Sequence, residues 1–533
     1  MLGRVRRLPP APGWLALALL FAGAALLSGA NMLDGVQPND EGLMLQAADR
    51  IAGGQVPYRD FWWYYPPGQP YLLAGLWKLF GPSLLTWRIV RMAADAAVAV
   101  LAYRLARSRG PVGLALTAWL VAACAMAFPK SPHPFPIALA LALGALLLLE
   151  RRPALAGALA GACAAWRIEF AAYLALAAAL GYAVSAGAVR ERSMRLARFA
   201  GAALAVALAL FAPVVAAAGL GRSWDLLVRY PLVDFARYQS LPFPFDYSGP
   251  LNTSSPGGFL SDSAENLLHF YLPLALLVGL AGALVALASP RRRPEPGVLA
   301  AAVFALGMAH YLLVRTDLFH TAPLAVMVAV LGAWALGAPA PARAWSRGRG
   351  AALLGVAAAT AAAGFAWALA EGVDRFARGL GEHTVALDVP VADGVRARPL
   401  RAAPLVRAVR YVRTHVPAGE PIYVTGARAD LVTSGNPLLY VLAERPNPTR
   451  YDIAAPGVVT SAPVQREIVR DLRRARPRVV VRWTAPVTAL HEPNRSGRSS
   501  GVRILDRYLT RDYRLAARFG YYLLLAPRAR GGP

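Results

Sequence analysis

Two adjacent acids, Asp40 and Glu41, stand in the run Asn39-Asp40-Glu41-Gly42, just after a hydrophobic stretch close to the length that crosses a bilayer. In such a pair one carboxylate can take a proton from an attacking hydroxyl or amine while the other holds the acceptor or a cation. The plainer alternative is a helix cap, with Asp40 starting a helix at Glu41. Downstream come Gly54, Val56-Pro57-Tyr58-Arg59-Asp60, the aromatic run Phe61 to Tyr65, and Pro66-Pro67-Gly68. Aromatic residues there can anchor the loop at a membrane interface or stack on the face of a sugar.

Three further groups sit at the ends of apolar runs, where ionisable side chains are expensive. In Arg315-Thr316-Asp317-Leu318-Phe319-His320, Arg and His donors can clamp a phosphate and stabilise the charge it gains as a leaving group. An ion pair between Arg315 and Asp317 is the structural alternative. Arg167 with Glu169 interrupts the apolar stretch 160–180, either as an internal ion pair or as a phosphate contact. Lys130 and His133 lie in the short loop Pro129-Lys130-Ser131-Pro132-His133-Pro134, where a lone His is more often a surface residue. Cys124 and Cys163 both fall in apolar runs, and no Cys/His spacing resembles a zinc site.

The elements that must carry these groups are membrane helices. The 533 residues are 57% hydrophobic and 16% charged, with a mean hydropathy of +0.42, which excludes an ordinary soluble domain. About eleven apolar stretches reach or approach spanning length, near residues 14–30, 86–106, 111–128, 136–149, 154–166, 170–185, 199–220, 266–288, 298–314, 322–338 and 351–370. Arginines cluster in every second connection, beginning with Arg4, Arg6 and Arg7, so the N-terminus is expected in the cytoplasm. The loops bearing Asp40, His133 and His320 then face outward, as does everything beyond the last span. The first run resembles a signal peptide in its basic start, but no convincing small-residue cleavage site follows it, so an uncleaved helix is expected.

Beyond Ala370 the hydropathy falls, and residues 371–533 are expected to form an extracytoplasmic soluble α/β domain attached to a 1–370 membrane domain whose first outer loop is 31–85. Helical spacing covers 405–415 and 465–475, strand patterns cover 421–425, 478–483 and 521–525, and the polar stretch 491–501 reads as a flexible loop. The net charge of +26 does not call for nucleic acid: the last 163 residues hold 27 Arg, no Lys and 14 acids, and most of the remaining charge is accounted for by membrane orientation. Such a surface suits anionic lipid or an acidic glycan.

At Asp40-Glu41, and in the sequel Ala47-Ala48, Gly54, Pro57-Tyr58, Asp60 and Pro66-Pro67, the chain resembles the C-type (GT-C) membrane glycosyltransferases that use polyprenyl-phosphate sugars, the group of the protein O-mannosyltransferases and the lipid A aminoarabinose transferase. Arg315, Asp317 and His320 resemble a second outer-loop feature of that family, and Arg167 a basic residue in mid-bundle. The resemblance covers residues 1 to about 370. It implies inverting sugar transfer from a polyprenyl-phosphate donor to an envelope acceptor, whether glycan, lipid or protein, on the outer face of the plasma membrane. Asp40 and Glu41 would be catalytic, Arg315, His320 and Arg167 would bind the donor phosphate, and Tyr58, Arg59, Asp60, Asp317, Lys130 and His133 would support them. No cofactor is implied and a divalent cation is left open, since a single acidic pair is a poor basis for a metal site. The competing functions are a flippase or transporter of a lipid-linked sugar, against which stands the lack of an inverted repeat, and a non-catalytic scaffold of envelope-polysaccharide assembly.

Overall fold

The computed structural model describes residues 13–127, 133–241, 243, 254–256, 267–288, 294–337, 377, 383–431, 434–452 and 454–529. Ten of the eleven expected spans coincide with helices; the eleventh, 351–370, lies outside the described residues, as does Lys130. The bundle is built from α1 (Trp14–Gly29), α4 (Leu84–Arg107), α5 (Val112–Met126), α6 (Phe135–Leu148), α7 (Pro153–Ala164), α8 (Ile168–Val184) and α9 (Val189–Ala218). Three more helices, Leu272–Leu287, α13 (Pro296–Val314) and α14 (Leu318–Gly337), complete it. Four of these, Val189–Ala218, His269–Leu287, Pro296–Val314 and Leu318–Gly337, are long and apolar enough to cross a membrane, and five are shorter apolar helices. Their shared core is largely Ala and Leu, and the alanines are small enough for close helix packing.

Two helices of the first outer loop do not enter the bundle. Helix α2 (Asp40–Ala52) has both acids in its first turn, where the helix dipole favours negative charge, and stops at Gly53-Gly54. Helix α3 (Gly68–Phe80) follows the Pro66-Pro67 break. Nearly all of α2 is buried although its face is not uniformly apolar, because it is wedged against the C-terminal region. A Cβ on Gly42 would lie 2.1 Å from the Leu438 nitrogen, so only glycine admits this approach. The Leu438 N–H donates to the Pro38 carbonyl.

The C-terminal region holds a four-stranded sheet in the order β3 (Tyr423–Thr425), β4 (Val480–Trp483), β6 (Tyr522–Pro527), β5 (Tyr513–Phe519). The β3–β4 pair is parallel and the other two pairs are antiparallel. Helices Pro399–His415, Ala462–Ala475 and Ile504–Asp512 flank it. Three expected strands and two expected helices appear near their anticipated places; the helix Ile504–Asp512 and the strand Tyr513–Phe519 had no sequence expectation.

One hydrophobic cluster runs from Leu43 and Trp63 in the first outer loop to Leu405, Leu439 and Leu524 in the C-terminal region. Polar contacts stitch the same boundary: Arg50 pairs with Asp452 at 2.7 Å and donates to the Thr449 carbonyl at 2.6 Å. The first loop and the C-terminal region therefore form one layer on the bundle.

Candidate active site

The adjacent acids have opposite environments. Glu41 is fully buried and accepts both prongs of the equally buried Arg88, at 2.8 and 2.9 Å, together with the Gln37 N–H at 3.1 Å. Arg88 also donates to the Met32 and Gly35 carbonyls. This knot fastens the chain between α1 and α2 to α4, and it occupies both Glu41 oxygens. Asp40, at the first position of α2, is half-buried, and its side chain accepts one hydrogen bond, from Asn39 at 2.8 Å. Burial raises its pKa above the usual carboxylate value, opposed by the Asn39 hydrogen bond and by the charge of Arg315, while Asp317 pushes it further up.

Around Asp40 the structure collects groups from four separate stretches. Asp40 lies within electrostatic reach of Tyr64 and Tyr65, and Tyr65 within that of Arg167 and Arg315. The Tyr64 hydroxyl donates to that of Tyr65, and the Tyr58 hydroxyl fixes the Tyr65 carbonyl at 2.7 Å. Arg167 caps the turn between α7 and α8, pairs with Glu169 at 2.5 Å, and lies over the Tyr311 ring at 5.0 Å. The turn is docked on the first outer loop by the Gly68 N–H to Ala165 carbonyl bond and by Trp166 donating to Gln69.

The loop between α13 and α14 supplies Arg315, Asp317 and His320. Asp317 accepts from Arg315 at 3.0 Å and from both the backbone N–H and Nδ1 of His320. Burial would raise the Asp317 pKa, but His320 and then Arg315 outweigh it and hold the carboxyl well below its usual range. Arg315 further donates to the Gln239 carbonyl and grips Glu492 with both prongs, at 2.8 and 3.3 Å. His133 stacks on Phe319 and meets His320 edge-on; burial, then the charge of Arg167, push its pKa down.

Among the described residues, several polar atoms here have no hydrogen-bond partner although buried: Arg167 Nε, Tyr311 Oη and His133 Nδ1. A buried donor left empty is costly unless a ligand or water fills it. Arg59 and Asp60 pair with each other at 2.8 Å in a partly exposed turn, where Asp60 also holds the Val56 N–H, so they shape the loop. Among the described residues no three His, Cys, Asp or Glu side chains converge in a way that could hold a metal ion.

A solved structure, ArnT from Cupriavidus metallidurans bound to undecaprenyl phosphate, superposes with a TM-score of 0.54 at 15% identity, covering 98% of this chain and 100% of that one. The apo state of the same protein gives 0.53 at 14% identity, with 97% and 98% covered. The chain has the GT-C fold. No protein-family model and no curated protein sequence matches it.

Five contributors were not anticipated as site residues. Arg88 carried a readable signal, because an arginine one turn inside a predicted span, followed by Arg91 and Asp95, demands a partner. Tyr64 and Tyr65 were visible only as members of an aromatic run. Tyr311 and Glu492 gave no signal, one lying inside an apolar stretch and the other far along the chain in a segment read as a flexible loop. That segment is tied down: Asn494 donates to the Ser240 carbonyl, and the Ser496 N–H and hydroxyl reach Asn494 and the Tyr238 carbonyl.

Proposed function

We propose that this chain is an inverting glycosyltransferase that moves a sugar from a polyprenyl-phosphate donor to an envelope acceptor at the outer face of the plasma membrane, with Asp40 as general base. The observation that carries it is the half-buried Asp40 carboxylate, held among the described residues by Asn39 alone, opposite a cluster of arginines in a bundle with the GT-C fold. Asp40 would take the proton from an acceptor hydroxyl as its oxygen attacks the anomeric carbon. The bond from that carbon to the phosphate oxygen breaks, its electron pair leaves with the polyprenyl phosphate, and the configuration inverts. Arg167 and Arg315 would stabilise the departing phosphate, with the empty Tyr311 hydroxyl able to donate to it.

Glu41 serves this reading as a positioning residue, because its knot with Arg88 fixes the first turn of α2. His320 fits the same secondary role, since Asp317 occupies its Nδ1 and thereby orients the ring. Arg315 is engaged by Asp317 and Glu492, so a phosphate that reaches it must displace Glu492. The test is transfer of radiolabelled sugar from synthetic polyprenyl-phosphate donors to envelope extract. Asp40→Asn is expected to lose transfer while still binding polyprenyl phosphate. Full activity in that variant would remove Asp40 from the mechanism, and donor binding without transfer by the unaltered protein would favour a flippase.

A further inference from the structure

A second built cluster lies at the other end of the bundle. Helix α7 runs from Pro153 to the Arg167 turn, so its first residues lie a helix length away from the turn that joins the Asp40 cluster. There, between the start of α7 and the first three turns of α9, is a cavity of about 540 Å³ lined by Glu150, Arg151, Arg190, Glu191, Arg195 and Arg198. Its charges do not cancel locally. Glu150 is taken by Arg109 at 3.2 Å and by the Gly297 N–H, and Glu191 by Arg195 at 2.7 Å. Arg151, Arg190 and Arg198 are left without a carboxylate partner among the described residues, and all three are exposed.

The cavity is fixed by close packing. A Cβ on Gly157 would lie 2.0 Å from the Phe199 carbonyl oxygen, and one on Gly161 2.2 Å from that of Ala203. Two glycines four residues apart thus let the backbones of α7 and α9 touch, the close approach by which small residues join membrane helices. Arg198, next to Phe199, is held beside the start of α7 by that crossing. From the cavity a stripe of α9 continues along Met194, Arg198, Gly201, Ala205 and Leu208, at three- and four-residue spacing. All are exposed, Leu208 by 56%, and the space beside Gly201 is open. A free anion would need only the arginines, whereas a lipid would use the exposed stripe as well.

We propose that this cavity binds the phosphate headgroup of an anionic phospholipid, with an acyl chain lying along the exposed stripe of α9. Arg151, Arg190 and Arg198 supply charge-assisted hydrogen bonds, and Met194 and Leu208 flank the chain. The inference does not depend on the transferase reading, because its test measures binding.

Full-length, delipidated protein in neutral detergent would be titrated with short-chain phosphatidylglycerol, the matching phosphatidylcholine, glycerol 3-phosphate and inorganic phosphate. Saturable binding of phosphatidylglycerol alone is expected, weakened about fivefold by each of Arg151→Gln, Arg190→Gln and Arg198→Gln. Arg104→Gln, at the same end of the bundle but outside the cavity, should change nothing. The three Arg→Lys variants should keep most of the binding, which separates lost charge from lost folding. Equal binding of phosphatidylcholine, or Gln variants that bind as the parent does, would overturn the proposal. Equal binding of glycerol 3-phosphate would replace it with a free-anion site.

Discussion

The Glu41–Arg88 knot and the cluster around Asp40 are built on adjacent residues and differ in how completely their polar atoms are satisfied. In the knot, every Arg88 nitrogen and both Glu41 oxygens have partners, and neither side chain is exposed. In the Asp40 cluster, among the described residues, Asp40 has one hydrogen-bond partner, and Arg167 Nε, Tyr311 Oη and His133 Nδ1 have none. A saturated buried ion pair fixes geometry and has nothing left to offer a ligand. An undersatisfied cluster is destabilising in the resting protein and becomes favourable when a charged ligand fills it. Two acids indistinguishable by type are thus divided into a fastener and a reactive group.

The sharpest way to break that contrast is through stability. Glu41→Gln strands the Arg88 charge and is expected to cost about 3–5 kcal/mol, seen as loss of folded protein in fluorescence-detected size-exclusion and a collapse of the thermal midpoint. If Glu41→Gln folds normally and loses only transfer, the division of roles is wrong. Asp40→Asn should do the opposite. Its folded pKa lies above the unfolded value, so the ionised form is penalised at neutral pH, and removing the charge should leave the midpoint unchanged or raise it. Transfer should nevertheless fall by about 10²–10⁴.

A smaller effect is expected at the strap from the C-terminal region. Glu492→Gln removes one of the two carboxylates on Arg315, so polyprenyl phosphate should bind about fivefold more tightly, the scale of one partly exposed ion pair. Weaker binding would make Glu492 part of the phosphate site instead of its competitor. The smallest effect concerns pH. Transfer should fall as pH drops through the raised pKa of Asp40, and Asn39→Ala, which removes the hydrogen bond that lowers that pKa, should move the acid limb to higher pH. A limb that stays in place would point to another group as the base.

Much of the framework was legible. Spans are visible in sequence because lipid allows only long apolar helices, and ten helices stand where hydropathy put them. The loop acids stood out because ionisable residues next to spans are rare. The site was legible only in part. Arg59 and Asp60 follow the acids closely in sequence, yet they pair with each other in a partly exposed turn. Tyr311 and Glu492, with 180 residues between them, flank the same cluster of arginines. The segment from His491 to Ser496 has the composition of a free loop, but it closes over the end of another loop through hydrogen bonds that composition does not encode.

The sequence by itself determined the membrane class, the places of the helices along the chain and the acidic pair at the head of the first loop, since these follow from transfer free energy and local residue type. The tertiary structure alone decided which acid of the pair keeps a free carboxylate, that the first loop and the C-terminal region share one core, and that Arg315 and Glu492 pair. Those outcomes depend on which buried charges find partners, and partners are supplied by segments hundreds of residues apart.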